Sequence, residues 1–157
     1  MNFLVISGAP ATGKTTAINN IALWLTAGVI GADVYGNALP SFLVNKHGKY
    51  DDISVVIVLR GKKIIIHSAS DDSARMDELI VLINKHSDAE VVITSCRDMY
   101  WPRDYFNSHI KPFATFLLES PLGKITRRND FKLADTWYKD TLLLLHQHIL
   151  KGIPFNL

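Results

Sequence analysis

Hydrophobic and polar residues along this chain follow two patterns, one typical of strands and one typical of helices. Short apolar runs rich in β-branched and aromatic residues predict strands at residues 3–7, 53–59, 63–67, 90–94 and 113–118. Apolar residues spaced three and four apart predict helices at residues 15–27, 74–85 and 133–150, and another that starts near Pro102 within residues 99–110.

The order of these elements predicts the fold class. Strands that alternate with helices favour a mostly parallel sheet with helices on both faces. Residues 53–59 and 63–67 are separated by Arg60, Gly61 and Lys62, so they predict an antiparallel hairpin with one strand at or near a sheet edge. The expected architecture is a three-layer α/β sandwich with a mostly parallel sheet and one antiparallel hairpin strand. Residues 28–52 predict an irregular excursion or a short helix near residues 41–44.

Length, charge and cysteine content narrow the class of protein. A chain of 157 residues with 48% hydrophobic content predicts one domain over residues 1–157. Its 17 basic and 15 acidic side chains are dispersed, so no nucleic-acid partner is indicated. No apolar run is long enough to cross a bilayer, and Cys96 is the single cysteine. With no basic leader at the start, these features predict a cytoplasmic protein without a membrane partner.

Residues 8–15 carry the strongest chemical signal. Gly8, Gly13, Lys14 and Thr15 fill the fixed positions of the pattern G-x-x-x-x-G-K-[ST], placed between a predicted strand and a predicted helix. Backbone N–H groups of such a loop surround phosphate, the lysine reaches the β- and γ-phosphates, and the Thr15 hydroxyl binds Mg²⁺. The predicted nucleotide-binding residues are Gly8, Ala9, Pro10, Ala11, Thr12, Gly13, Lys14, Thr15 and Thr16. The expected cofactors are ATP and Mg²⁺, and the expected fold is of the P-loop NTPase type.

An acidic partner for the metal has several candidates. Asp71 and Asp72 precede a predicted helix, where an aspartate acts either as a helix cap or as a metal ligand. Asp98 follows a predicted strand, beside Arg97. Since α/β proteins bind ligands at the carboxyl ends of their strands, Arg97 is a candidate for a role in the site.

After a predicted strand the chain has Arg97, Tyr100, Arg103 and Phe106, with Cys96 directly before Arg97. This stretch, and a second one described next, resemble the deoxyribonucleoside kinases, which phosphorylate the 5′-hydroxyl of nucleosides. In that family the third core strand ends in Glu-Arg-Ser, followed at the same intervals by a tyrosine, an arginine and a phenylalanine, so Cys96 stands where the family has its glutamate. The resemblance therefore implies that the acidic contribution near the metal is lost or has moved to Asp98 or Asp71.

The second stretch is Leu-Leu-Glu-Ser-Pro at residues 117–121, which is similar to the family's Leu-x-x-Ser-Pro strand end. A helix and lid arginines follow it in the family, and Arg127 and Arg128 are the corresponding residues here. Guanidinium groups neutralise the oxygens that gain charge during phosphoryl transfer. The resemblance implies that role for Arg127 and Arg128.

The hairpin is also similar to that of small GTPases, in which the third strand ends in an aspartate that holds Mg²⁺ through water. Asp71 is the corresponding residue. Guanine specificity is not supported, because Asn84-Lys85-His86-Ser87 lacks the aspartate of the Asn-Lys-x-Asp motif.

Together these patterns predict a phosphotransferase. Lys14 and Thr15 would bind ATP and Mg²⁺, and Asp71 or Asp98 would assist the metal. Arg97, Arg127 and Arg128 would stabilise the transferred phosphoryl group. The expected acceptor is a small molecule, a nucleoside or nucleotide, and the chain is compatible with a homo-oligomer. The alternatives are a non-kinase NTPase that acts as a partner-dependent switch, and a nucleotide-binding module without catalysis.

Overall fold

The strands of the computed structural model form a five-stranded sheet in the order β2-β3-β4-β1-β5. The structure describes residues 1–26, 50–125 and 131–157. The strands are β1 (Asn2–Gly8), β2 (Ser54–Leu59), β3 (Lys62–His67), β4 (Val91–Arg97) and β5 (Phe116–Pro121). The helices are α1 (Lys14–Thr26), α2 (Ser73–Lys85), α3 (Tyr100–His109) and α4 (Phe131–Leu144), with a 3₁₀ turn at Lys111–Phe113 and a π-helical segment at Leu145–Leu150. The predicted α/β class and mostly parallel sheet are confirmed.

Helices cover both faces of the sheet, because the strands are apolar on both sides. On one face, side chains of β1, β3 and β4 pack against α1 and the C-terminal helical segment through Leu4, Ile6, Ile18, Ile21, Ile64, Ile66, Ile93, Leu145 and Leu150. On the other face, the alternate strand residues pack against α2 and α3 through Phe3, Val5, Ile65, Met76, Leu79, Ile83, Val92 and Phe106. Strands buried on both faces are typical of parallel sheets.

Parallel pairing brings several strand ends to one side of the sheet. Gly8 at the end of β1 lies beside Arg97 at the end of β4, and Ser7 lies beside Pro121 at the end of β5. β2 runs antiparallel to β3, so its first residue, Ser54, lies beside His67, the last residue of β3. We call this side, with the ends of β1, β3, β4 and β5 and the start of β2, the carboxyl edge.

The predicted hairpin is confirmed, with β2 as the antiparallel edge strand. Its turn contains Arg60 at φ 51° and Gly61 at φ 81°. A two-residue turn with positive φ at both positions matches the right-handed twist of the strands that it joins.

Some predicted boundaries were wrong. The predicted strand at residues 113–118 begins three residues too early. Pro112 lies in the 3₁₀ turn, Phe113 N–H donates to the Ile110 carbonyl at 3.0 Å, and β5 starts at Phe116. The predicted strand at residues 90–94 continues to Arg97 because its pairing with β1 extends to Gly8.

The predicted excursion at residues 28–52 lies mostly outside the described residues, which resume at Tyr50. Within residues 1–26, 50–125 and 131–157, no helix combines the length and apolar character that crossing a bilayer requires.

Candidate functional site

The loop that joins β1 to α1 has a backbone that depends on its two glycines. Gly8 has φ +149° and Gly13 has φ +91°, both in the region that favours glycine. A Cβ on Gly8 would lie 2.9 Å from the carbonyl oxygen of Leu122, so a side chain is excluded there for steric reasons as well. The Thr12 hydroxyl donates to the Ala9 carbonyl at 2.9 Å and closes the turn. With this backbone, the loop carries the chain from Gly8 at the end of β1 to Lys14, the first residue of α1.

Lys14 is the first residue of α1 and is buried against the loop. Its Nζ donates to the carbonyl oxygens of Gly8 and Ala9, at 3.1 Å each. Burial lowers the pKa of Lys14; nearby Asp71 opposes the shift and Arg97 adds to it. An ammonium that has lost hydration gains free energy when an anion replaces the lost water.

The Thr15 hydroxyl contacts an acid that the sequence reasoning missed. Thr15 Oγ1 donates to Asp52 Oδ1 at 3.1 Å, and Ser68 Oγ donates to the same oxygen at 3.0 Å. Asp52 lies just before β2, and the antiparallel hairpin places the start of β2 at the carboxyl edge. The sequence predicts this hairpin, and its antiparallel register brings the residues before β2 to the carboxyl edge. Asp52 could have been found from that register.

Asp71 and Asp72, adjacent in the sequence, have different contacts. Asp72 is the N-cap of α2, where its Oδ1 accepts the backbone N–H of Arg75 at 2.9 Å. Asp71 forms an ion pair with the Nε of Arg97, which raises the pKa of the Arg97 guanidinium. The capping interpretation therefore applies to Asp72, and Asp71 is paired with the arginine predicted for the site.

Asp98 and Cys96 lie on either side of Arg97 and have different surroundings. The backbone N–H of Asp98 donates to the Gly8 carbonyl at 3.2 Å, and the Asp98 side chain is exposed. Cys96 is buried in the core beneath α3, and burial raises the pKa of its thiol. Arg127 and Arg128 lie outside the described residues.

Tyr138 of α4 also contacts the loop. The sequence reasoning missed this residue as well. Its hydroxyl donates to the Gly13 carbonyl at 2.6 Å. A Cβ on Gly13 would lie 3.1 Å from the Tyr138 hydroxyl oxygen, so the ring fits against the bare glycine. Gly13 and Tyr138 are 125 positions apart in the chain, so no local sequence pattern indicates their contact.

These elements surround a cavity of about 560 Å³, a size typical of small-molecule sites. Among the predicted residues, it brings together Pro10, Ala11, Thr12, Gly13, Lys14, Thr15, Thr16, Asp71 and Arg97. Tyr50, Ser68, Ser95, Asp135 and Tyr138 complete its lining. The Asp98 side chain is not part of this lining and lies in a separate surface depression with Tyr100 and Arg103.

The cavity provides donors suited to one kind of metal. No group of three or more His, Cys, Asp or Glu side chains within the described ranges is placed to hold an ion. Mg²⁺ in nucleotide sites typically takes one or two protein oxygens and fills its other positions with phosphate oxygens and water. The Thr15 hydroxyl oxygen, oriented by its hydrogen bond to Asp52, fits that requirement, and this pair does not fit zinc or calcium.

Comparisons with protein-family models, with curated proteins and with solved structures find no match for this chain. The function is therefore inferred from the pattern at residues 8–15 and from the side chains that surround this cavity.

Proposed function

We propose that this protein is a P-loop kinase, with a sandwich fold of the P-loop NTPase type, that transfers the γ-phosphate of ATP to a small acceptor. The observation that carries the proposal is the placement of the G-x-x-x-x-G-K-T residues. They connect a buried parallel strand to the amino end of a helix, and the lysine lies over the loop in a cavity. Such a site attracts a polyphosphate.

A polyphosphate is favoured by the backbone N–H donors and the buried ammonium at the amino end of α1. The first N–H groups of α1 have no acceptor within the helix, and its dipole is positive at this end. The Lys14 ammonium is buried beside them. Transfer of phosphate oxygens from water to these donors replaces hydration that Lys14 has already lost.

Magnesium would be held by the Thr15 hydroxyl together with a carboxylate of the carboxyl edge. When bound, it would supply positive charge to the β- and γ-phosphate oxygens. Cation and nucleotide are therefore expected to bind with positive coupling.

Phosphoryl transfer, in preference to simple hydrolysis, is supported by Arg97 and by the kinase resemblance. The Arg97 guanidinium lines the cavity beside Asp71, near Lys14. An arginine there can stabilise charge on the phosphoryl group as the acceptor oxygen bonds to phosphorus and the bond to the ADP oxygen breaks. The matches at Arg97, Tyr100, Arg103 and Phe106 support a nucleoside or nucleotide as the acceptor.

The test follows the γ-phosphate. The protein is incubated with γ-labelled ATP, Mg²⁺ and a panel of nucleosides and nucleoside monophosphates, and the labelled products are separated. We expect label on one acceptor class. Release of phosphate without an acceptor would instead select the NTPase, and binding without turnover would select the nucleotide-binding module.

The matched control compares two lysines. Lys14→Ala should abolish both calorimetric ATP binding and turnover, because it removes the buried ammonium. Lys111→Ala removes a lysine from the 3₁₀ turn that precedes β5, at the opposite edge of the sheet, and should change neither. Turnover that persists in Lys14→Ala, or wild-type protein that binds no nucleotide, would overturn the proposal.

A further inference from the structure

The direction of one hydrogen bond prepares Thr15 to bind a cation. A threonine hydroxyl has one proton and two lone pairs. Thr15 Oγ1 donates its proton to Asp52 Oδ1 at 3.1 Å, so its lone pairs are available to a positive ion. The acceptor is an anionic carboxylate, which increases the electron density on the hydroxyl oxygen.

Asp52 is held in this position by the end of the neighbouring strand. Ser68, the residue after β3, is buried and donates from Oγ to Asp52 Oδ1 at 3.0 Å. The same Ser68 Oγ accepts the Ile53 N–H at 2.9 Å, and Ser68 N–H donates to the Ile53 carbonyl at 2.9 Å. Three contacts from one serine therefore fix the backbone and the carboxylate of the segment that leads into β2.

Helix α1 provides a second, independent tether. The amide of Asn19, which is 1% exposed, donates to the Thr15 carbonyl at 2.9 Å and to the Asp51 carbonyl at 3.1 Å. One buried side chain thus links the turn that contains Thr15 to the segment that contains Asp52. A buried amide with both donor bonds satisfied strongly restrains the groups that it joins.

The other acids of the carboxyl edge have different partners. Asp71 forms an ion pair with Arg97, Asp72 caps α2, and Asp98 lies in a separate surface depression with Tyr100 and Arg103. Of the acids considered for the metal from the sequence, none has a described hydrogen bond to the Thr15 hydroxyl.

We propose that Asp52 completes the divalent-cation site begun by Thr15, as the outer carboxylate that orients the Thr15 hydroxyl, and that Ser68 is its positioning residue. This inference rests on the proposed function, and it gives the edge hairpin a role in metal binding. The acid reaches the metal site from the amino end of the antiparallel strand β2, and Ser68 at the end of β3 holds it there.

The first test measures coupling between metal and nucleotide. A non-hydrolysable ATP analogue is titrated calorimetrically into wild type, Asp52→Asn and Asp71→Asn, each with Mg²⁺ and with EDTA. Loss of an outer partner of a metal ligand typically costs about 10–100-fold in metal affinity. Asp52→Asn should therefore lose about 10-fold or more of the Mg²⁺-dependent gain in affinity and stay within about twofold of wild type in EDTA. Asp71→Asn should keep the gain.

The second test isolates Ser68. Ser70 is also buried, but its Oγ is paired with Ser95 Oγ at 2.6 Å, so Ser70→Ala is the matched control for Ser68→Ala. Binding of Mn²⁺ to the protein–nucleotide complex is followed by electron paramagnetic resonance. We expect Ser68→Ala to weaken Mn²⁺ binding about 3- to 10-fold, as expected from the loss of one charge-assisted hydrogen bond, and Ser70→Ala to leave it unchanged. A purely structural serine would lower thermal stability without moving the Mn²⁺ affinity.

The outcomes separate this inference from the proposed function. Wild-type protein that binds no nucleotide under either condition refutes both. If the wild type binds nucleotide and Asp52→Asn keeps the full Mg²⁺ gain, or if Asp71→Asn alone loses it, the assignment of Asp52 is wrong and the proposed function stands. If Asp52→Asn does not fold, the Ser68→Ala and Ser70→Ala pair decides by the same Mn²⁺ measurement.

Discussion

The two sides of the cavity are assembled in different ways. The floor is one uninterrupted stretch, residues 10–16, from the loop between β1 and α1 and the first turn of α1. The wall collects single residues that are far apart in the chain, Ser68, Asp71, Arg97 and Tyr138. A contiguous site depends on local backbone geometry, and a dispersed one depends on how the strands are ordered. Substitutions on the two sides should therefore fail in different ways.

Among the changes that compare the two sides, the largest effect is expected where they meet, at Gly13. Gly13→Ala places a Cβ on a residue with φ +91°, 3.1 Å from the Tyr138 hydroxyl oxygen. Backbone strain of this kind costs about 1–3 kcal/mol, and the clash displaces either the loop or α4. We expect calorimetric nucleotide affinity to fall about 100-fold, since about 1.4 kcal/mol corresponds to each tenfold.

Gly61 provides the control for this prediction. It has φ +81° in the hairpin turn, and a Cβ there would meet no atom within 4 Å. Gly61→Ala should lower the free energy of unfolding by about 1 kcal/mol through strain alone, with nucleotide affinity unchanged. Equal losses of affinity in the two variants would mean that Gly13 contributes only general stability.

An intermediate effect is expected from pH, through Lys14. Its pKa is lowered chiefly by burial, and bound phosphate would raise that pKa again. Nucleotide affinity should therefore fall up to about tenfold per pH unit once the pH exceeds the pKa of Lys14 in the free protein. Calorimetry across the alkaline range measures this. Lys14→Arg keeps its charge throughout, so its affinity should not show this decline.

The lowered pKa of Lys14 also affects the free energy of unfolding of the unliganded protein. This free energy should change with pH in the opposite direction to nucleotide affinity. The unfolded chain keeps the ordinary lysine pKa of about 10.4, so between the lowered pKa and this value the unfolded state binds more protons than the folded state. The free energy of unfolding of the unliganded protein should therefore rise with pH across this window. Denaturant titrations of wild type and Lys14→Arg give the difference, and a wild-type curve parallel to that of the variant would contradict the shift.

Most of the fold could be predicted because its signals are local. The hairpin follows from two β-rich runs around Arg60 and Gly61, and the helices follow from apolar spacing. β5 was placed too early because residues 113–118 are rich in aromatic and aliphatic side chains, whereas the strand begins where Phe116 pairs with Asn2. Pairing partners decide such boundaries, and they are distant in the chain.

The candidate site also has one part that local sequence predicts and another that depends on residues distant in the chain. Residues 8–15 could be identified because the pattern itself describes the backbone. Asp71 and Asp72 could not be separated, since both precede a helix and only backbone geometry decides which one caps it. Asp52 was missed because its contact with Thr15 depends on β2 running antiparallel beside β3. The register of the hairpin, once inferred, would have placed residue 52 at the carboxyl edge.

The smallest predicted effect concerns Tyr138, the contact between α4 and the loop. Tyr138→Phe removes only the hydroxyl that donates to the Gly13 carbonyl at 2.6 Å, and it keeps the ring against the glycine. That carbonyl also accepts the Ala17 N–H at 2.8 Å in the first turn of α1, so it retains one partner. A hydrogen bond of this kind contributes about 0.5–1.5 kcal/mol. We expect nucleotide affinity to fall about 2- to 10-fold if the bond preorganises the loop.

Tyr138→Ala distinguishes the ring from the hydroxyl. It should lower the free energy of unfolding by more than Tyr138→Phe does, because it also removes the packing against Gly13. If Tyr138→Phe loses stability but binds nucleotide with wild-type affinity, the hydroxyl stabilises the attachment of α4 and does not shape the loop. If affinity falls while stability is kept, the dispersed wall of the cavity controls the geometry of the contiguous floor, and the two sides act as one site.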